Sequence, residues 1–112
     1  MGTVSNFVRD MIYLIDMPGS SISKWHYVYV LRSEKDNNLY IGYTIDLAKR
    51  LRQHNAKKNF STKSRTPFEL IYAEAALNEA DARRREGYFK TSQGRRFLKL
   101  RLREYFKLRN FE

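Results

Sequence analysis

The stretch from Tyr27 to Tyr43 constrains the fold of this chain more than any other. Tyr27-Val28-Tyr29-Val30-Leu31 is a run of β-branched, aromatic and aliphatic residues, the composition of a strand. Glu34-Lys35-Asp36-Asn37-Asn38 is a turn cluster, and Leu39-Tyr40-Ile41-Gly42-Tyr43 reads as the returning strand, so the segment predicts a β-hairpin. Helical spacing follows at once. Thr44 is the expected N-cap, Asp46 falls in the positive first turn, and Leu47 and Leu51 are the expected buried face of a helix ending near Asn55.

The rest of the chain completes a small fold around that unit. Residues 57–67 (KKNFSTKSRTP) are a basic, Ser/Thr-rich loop, and Phe68 to Ala73 alternates as a third strand. Asn78 predicts the cap of a second helix running to about Thr91. Ser92-Gln93-Gly94 reads as a short break before a third helix, Arg95 to Lys107, with Phe97, Leu98, Leu102, Tyr105 and Phe106 as its apolar stripe. The expected fold class is α/β (α+β), a small three-stranded sheet flanked by helices. A length of 112 residues suits one domain with a single modest core. We place that domain at residues 25–107, with 1–24 as a loosely structured leader and 108–112 as a C-terminal tail. The leader's apolar patch, Met11 to Ile15, is interrupted by nearby Arg9, Asp10 and Asp16. It is too short and too charged for a secretory h-region, and no run nears the roughly 18 apolar residues of a membrane span. Cysteine is absent, which excludes disulfides, thiolate zinc sites and a cysteine nucleophile, and is compatible with a cytoplasmic location.

Charge gives the first functional indication. The chain carries 22 Lys+Arg against 12 Asp+Glu, a formal +10. Residues 1–36 hold four basic and four acidic side chains, so the whole surplus lies in 37–112. Residues 49–65 carry seven basic and no acidic residues, and 83–109 carry eleven basic and two acidic. Such a surplus on a small domain favours a polyanionic partner, because each neutralised phosphate releases condensed counterions.

The chemistry available is narrow. There is no Walker-type loop, no Gly-x-Ser-x-Gly elbow and no tight group of carboxylates for two metal ions. With only His26 and His54, a histidine-rich metal site is excluded too. The remaining tools are tyrosine, arginine, histidine and an isolated carboxylate. Gly42 lies inside a strand, where glycine marks close approach of a ligand or backbone, just before a helix N-terminus suited to phosphate. Arg50 and His54 are four apart and share a helix face, which we expect to lie apart from the Leu47/Leu51 stripe. Glu86 is an acid in a basic helix, able to hold Mg²⁺ or Mn²⁺ by one oxygen with water and phosphate completing the shell. Each residue alone also has an ordinary structural explanation. Tyr29 and Tyr40 fill a core, Arg50 pairs with Asp46, His54 suits a helix C-terminus, and Glu86 pairs with Lys90 and Arg83.

Taken together, these residues resemble the GIY-YIG nuclease family. Tyr27-Val28-Tyr29 is similar to the first motif and Tyr40-Ile41-Gly42 to the second, eleven residues apart at Tyr29 and Tyr40. Arg50 follows ten residues later and His54 four beyond that, and Ala82-Arg83-Arg84-Arg85-Glu86 is similar to the segment bearing the family's metal-binding glutamate. The likeness spans about residues 25–107 and is nearest to small stand-alone bacterial members, related to the N-terminal nuclease domain of the bacterial excision-repair nuclease. The sequence departs from the pattern in places. Tyr27 stands at the first glycine of the motif, Val28 at its isoleucine and Tyr43 where larger relatives have lysine, and no counterpart of a downstream asparagine follows Glu86.

The resemblance implies a metal-dependent DNA endonuclease using one divalent ion, Mg²⁺ or Mn²⁺, held by Glu86, with Arg50 stabilising transition-state charge. It implies Tyr29 as general base or water-positioning group, with Tyr40 and His54 holding the phosphate or shuttling the proton. Gly42, Tyr43, Arg52, Lys57, Lys58, Lys63, Arg65 and Lys90 are the expected nucleic-acid contacts. The expected partner is DNA, with RNA as a second nucleic acid and a repair protein as a further partner, and no membrane. The alternative is an inactive binding module that keeps the nuclease fold and binds nucleic acid with a steep salt slope.

Overall fold

The computed structural model describes residues 24–56 and 63–109. The predicted hairpin is present as His26–Ser33 (β1) and Leu39–Thr44 (β2), antiparallel. Its turn closes by Ser33 N–H to Asn38 O at 3.0 Å and Asn37 N–H to Ser33 O at 2.8 Å. Asn37 takes the left-handed conformation there, φ 63°, which asparagine tolerates better than branched residues. Leu47–Asn55 (α1) follows, then a 3₁₀ turn at Lys63–Arg65 and strand Phe68–Ala76 (β3). Glu79–Phe89 (α2), Ser92–Arg101 (α3) and Arg103–Leu108 (α4) complete the order. The sheet runs β2-β1-β3, so β1 is central and antiparallel to both neighbours. This is the α+β architecture expected.

The unbroken apolar run of β1 has a direct cause: both faces of the central strand are covered. Tyr27, Tyr29 and Leu31 pack with Leu47, Phe68 and Leu70 on the α1 side. Val28 and Val30 pack with Ile41, Ile71, Ala82, Phe89 and Leu98 on the other. Opposite Val30 and Leu31 the register of β3 slips by one residue. Ile71 and Tyr72, neighbours in sequence, therefore both serve the α2–α4 side, while Leu70 and Ala73 serve the α1 side.

Four local expectations need correction. The cap of α1 is Asp46, whose side chain accepts from Lys49 N–H; Thr44 instead accepts from Asp46 N–H at 3.0 Å and orients the capping residue. The third strand continues to Ala76. Ser92-Gln93-Gly94 is not a break but the first turn of α3, capped by Thr91, whose hydroxyl accepts from Gly94 N–H at 3.0 Å. The single expected helix 95–107 is two, α3 and α4, divided at Leu102. Asn78 caps α2 as expected. Residues 1–23 of the predicted leader and 110–112 of the tail lie outside the described residues.

Candidate active site

β2 forms one edge of the sheet, and within it Gly42 pairs with Tyr29 of β1. A Cβ built on Gly42 would lie 2.4 Å from both Cζ and the hydroxyl oxygen of Tyr29. The phenol therefore lies against the Gly42 backbone, in space that any other residue would fill. The close approach expected at Gly42 is made by the chain's own tyrosine.

The Tyr29 hydroxyl meets Nε2 of His54 at 3.0 Å. His54 is fully buried, ringed by Tyr29, Tyr40 and Phe68 with centroids at 5.9, 5.0 and 5.8 Å. This corrects the expectation that His54 would lie apart from the apolar stripe: it shares the buried face of α1 with Leu47. The cause is Asn55, which clamps the helix end to β3 by accepting from Phe68 N–H at 2.7 Å and donating to its carbonyl at 3.2 Å. That clamp holds the end of α1 against β3 with the preceding residue turned inward.

The Arg50 guanidinium lies near enough to Tyr29 for its charge to favour the ionised phenol, and its Nη1 donates to the Tyr43 carbonyl at 3.3 Å. The expected pair with Asp46 does not form, since that carboxylate is engaged at the helix cap. Among the described residues Arg50 makes no salt bridge. The Arg50 charge favours the arrangement in which the Tyr29 oxygen turns its lone pairs toward the guanidinium and its proton toward His54 Nε2. His54 is then the neutral tautomer protonated at Nδ1, an assignment made from this network.

Burial, reinforced by Tyr40 and Glu86 against the opposing pull of Arg50, pushes the Tyr29 phenol up to about 12. Burial and the Arg50 charge push His54 down to about 4. At neutral pH both groups are uncharged, and the proton rests on tyrosine. A histidine whose folded pKa lies below its unfolded value of about 6.5 adds stability above that value, and loses it as pH falls toward 4. Lowering pH from 7 to 4 should cost about 3 kcal/mol through this group alone. Thermal melts of wild type and His54→Phe across that range check it: the wild type should lose the greater stability, and parallel curves would contradict the burial.

Glu86 comes from α2, on the opposite face of the sheet from α1. Its charge is felt weakly at Tyr29 and Tyr43, and its side chain is 18% exposed. Lys90 Nζ lies 3.0 Å from its Oε2. Arg83, expected as a second partner, turns instead to Glu79 at 3.1 Å and lays its guanidinium 3.9 Å over the Tyr43 ring. Tyr43 in turn bonds His26 Nδ1 at 2.6 Å. Phe68, His26 and Arg83 were not among the expected site residues. Pro67 before an aromatic strand start was the one signal for Phe68, and nothing in three consecutive arginines distinguishes Arg83.

The expected nucleic-acid contacts scatter. Arg52 is exposed on α1. Lys63 opens the 3₁₀ turn. Arg65 is drawn inward, 3.3 Å from Asp36 and 3.5 Å from the Leu39 carbonyl. Lys57 and Lys58 lie outside the described residues. Among the described residues no three His, Asp or Glu side chains gather as a metal cluster, and no helix is long and apolar enough to cross a membrane. A lone half-buried carboxylate still suits a hard divalent cation of the Mg²⁺ kind, which retains waters and takes substrate phosphate as ligand.

Comparison with known proteins gives the family of the chain. The chain is 42% identical over 76 residues to a UPF0213 protein of Staphylococcus haemolyticus, covering 67% of this chain and 92% of that protein. It is 41% identical over 81 residues to a UPF0213 protein of Oceanobacillus iheyensis, covering 71% and 91% respectively. With the UPF0213 protein YazA of Bacillus subtilis it shares 47% over 66 residues, 58% of this chain and 66% of that one. No solved structure matches. Residues 25–100 match the GIY-YIG catalytic domain, a family of endonucleases that generally use divalent metal ions. With motif tyrosines, helical arginine and α2 glutamate all on that matched stretch, the chain belongs to the GIY-YIG family.

Proposed function

We propose that this protein is a divalent-metal-dependent endonuclease that hydrolyses DNA phosphodiester bonds, directed by DNA structure more than by sequence, in repair or processing. One observation carries the reading: the buried Tyr29 hydroxyl bonds His54 at 3.0 Å against the Gly42 backbone, where the charge of Arg50 is felt. Two sheet faces contribute to one edge, which suits a phosphate approaching along β2.

In this reading the attacking water loses a proton to the Tyr29 oxygen while the Tyr29 proton passes to Nε2 of His54. A phenol at about 12 is a poor base by itself at neutral pH. A relay in which tyrosine gives up one proton as it takes another avoids a free tyrosinate. The acceptor is His54, which burial and Arg50 hold at about 4, so it takes the proton only in passing and returns it as the step completes. His54, being inaccessible, serves the proton and not the phosphate. Arg50 would bind non-bridging phosphate oxygens, for which its planar fork is suited, and Tyr40 would shape the pocket beside His54. Glu86 would hold Mg²⁺ or Mn²⁺, which supplies charge neutralisation at the phosphate and the departing 3′ oxygen. Arg52 and Arg83 would contact the backbone without reading sequence.

The test is cleavage of labelled nicked, branched and single-stranded DNA with Mg²⁺ or Mn²⁺. The wild type should cut the structured substrates, and Arg50→Ala should cut them roughly 10²-fold more slowly, the usual scale for removing one transition-state donor. Salt-sensitive binding with no cleavage under any divalent ion would favour the inactive binding module. Equal cleavage by wild type and Arg50→Ala would overturn the assignment of Arg50.

A further inference from the structure

Three consecutive arginines precede Glu86, yet none of them neutralises it. Arg83 pairs with Glu79, Arg84 with Asp81 at 2.8 Å, and Arg85 grips Glu74 with Nε and Nη2 at 2.9 and 3.0 Å. Among the described residues the cation on Glu86 is Lys90, at 3.0 Å. The two partners differ in freedom. The Glu86 side chain is 18% exposed, whereas Lys90 is 53% exposed and stands at the C-terminal end of α2. A lysine ammonium is a mobile point charge on a four-carbon stem, so it can leave this carboxylate without disturbing the helix.

We propose that Lys90 is a working residue of the site. In the free protein its ammonium occupies the carboxylate that is to hold the divalent ion, and an arriving phosphodiester chain draws it away. The inference rests on the reading of Glu86 as the metal ligand. An ammonium at hydrogen-bond distance repels a divalent cation from the same oxygens, so the metal must displace Lys90 or wait for it to move. Phosphate oxygens offer the ammonium an equivalent partner a short swing away. Lys90 then exchanges one anionic oxygen for another, and Glu86 is released for the metal as substrate arrives. Metal and nucleic acid consequently bind with positive coupling, and the coupling is reciprocal. The divalent ion binds the free protein weakly, which keeps an unloaded site from holding it idle.

The experiment measures Mn²⁺ binding, not turnover. Free Mn²⁺ is followed by electron paramagnetic resonance during titration of wild type, Lys90→Met and Glu86→Gln, each first shown to be folded by circular dichroism. Lys90→Met should bind Mn²⁺ about three- to tenfold more tightly than wild type, on the scale of one partly exposed ion pair. The factor by which Mn²⁺ tightens binding of a non-cleavable phosphorothioate oligonucleotide, read by fluorescence anisotropy, should shrink by the same ratio in Lys90→Met. Weaker Mn²⁺ binding by Glu86→Gln together with unchanged binding by Lys90→Met would overturn the role of Lys90 and leave the metal ligand standing. Mn²⁺ binding by Glu86→Gln equal to wild type would overturn the metal ligand, and the role of Lys90 with it.

Discussion

Gly42→Ala should slow cleavage at least about 10²-fold and lower stability by about 2 kcal/mol, the range for forcing one methyl into a packed site. The added carbon would sit 2.4 Å from Cζ and the hydroxyl of Tyr29, far inside contact distance. Tyr29 has nowhere to retreat. It is 1% exposed, hydrogen-bonded to His54 and ringed by Tyr40 and His54. Relief must come from separating β2 from β1 or from moving the phenol, and either displaces the hydroxyl that bonds His54. Gly87→Ala is the matching control, since a Cβ there meets nothing within 4 Å and Gly87 lies in the last turn of α2. It should raise stability by roughly 0.5–1 kcal/mol. Cleavage kinetics and urea melts of the two variants measure both effects. Wild-type cleavage by Gly42→Ala would show that the Tyr29 hydroxyl has no positional role.

Glu69→Ala should be the most destabilising single change away from the site, at about 3–5 kcal/mol. Arg32, with a side chain 9% exposed, donates Nη2 to Glu69 at 3.0 Å, Nε to the Tyr105 hydroxyl at 2.7 Å and Nη1 to Asn37 at 2.9 Å. Tyr105 donates to Glu69 at 2.6 Å, and Arg109 adds a second cation at 3.0 Å. Glu69 thus ties the central strand and α4 to β3. Deleting it strands a buried guanidinium without its counter-charge, which costs more than the pair itself is worth. Replacing both partners, Arg32→Met with Glu69→Leu, should be less damaging than Glu69→Ala alone. Urea unfolding of the single and double variants decides this, and a single variant within about 1 kcal/mol of wild type would contradict it.

The hairpin, α1 and the cap of α2 were legible because each rests on local signals: an apolar run, a polar turn cluster, a capping asparagine. What escaped depends on contacts between distant parts of the chain. Ser92-Gln93-Gly94 has turn-forming composition, but a Cβ at Gly94 would lie 1.9 Å from the Tyr88 carbonyl. That glycine is present for the tight approach of α3 to the end of α2, not to stop a helix. The slip in β3 lets Ile71 and Tyr72 share a face, which strict alternation cannot reveal. The network of Glu69 joins residues 36, 37 and 40 positions apart. Tyr29, Arg50 and Glu86 were singled out by motif spacing. The burial of His54 was not, because it follows from the clamp that Asn55 makes on Phe68.

The hydroxyl of Tyr29 is the centre of the proposed relay, and Tyr29→Phe removes that single oxygen while keeping the ring against Gly42. Cleavage of a labelled branched DNA with Mg²⁺, at saturating enzyme, is the direct measurement. The variant should bind the DNA as wild type does, melt near the wild-type temperature, and cut at least about 10²-fold more slowly, the contribution expected of a positioned base. A Tyr29→Phe protein that cuts at the wild-type rate would contradict the proton relay and the active site built around it.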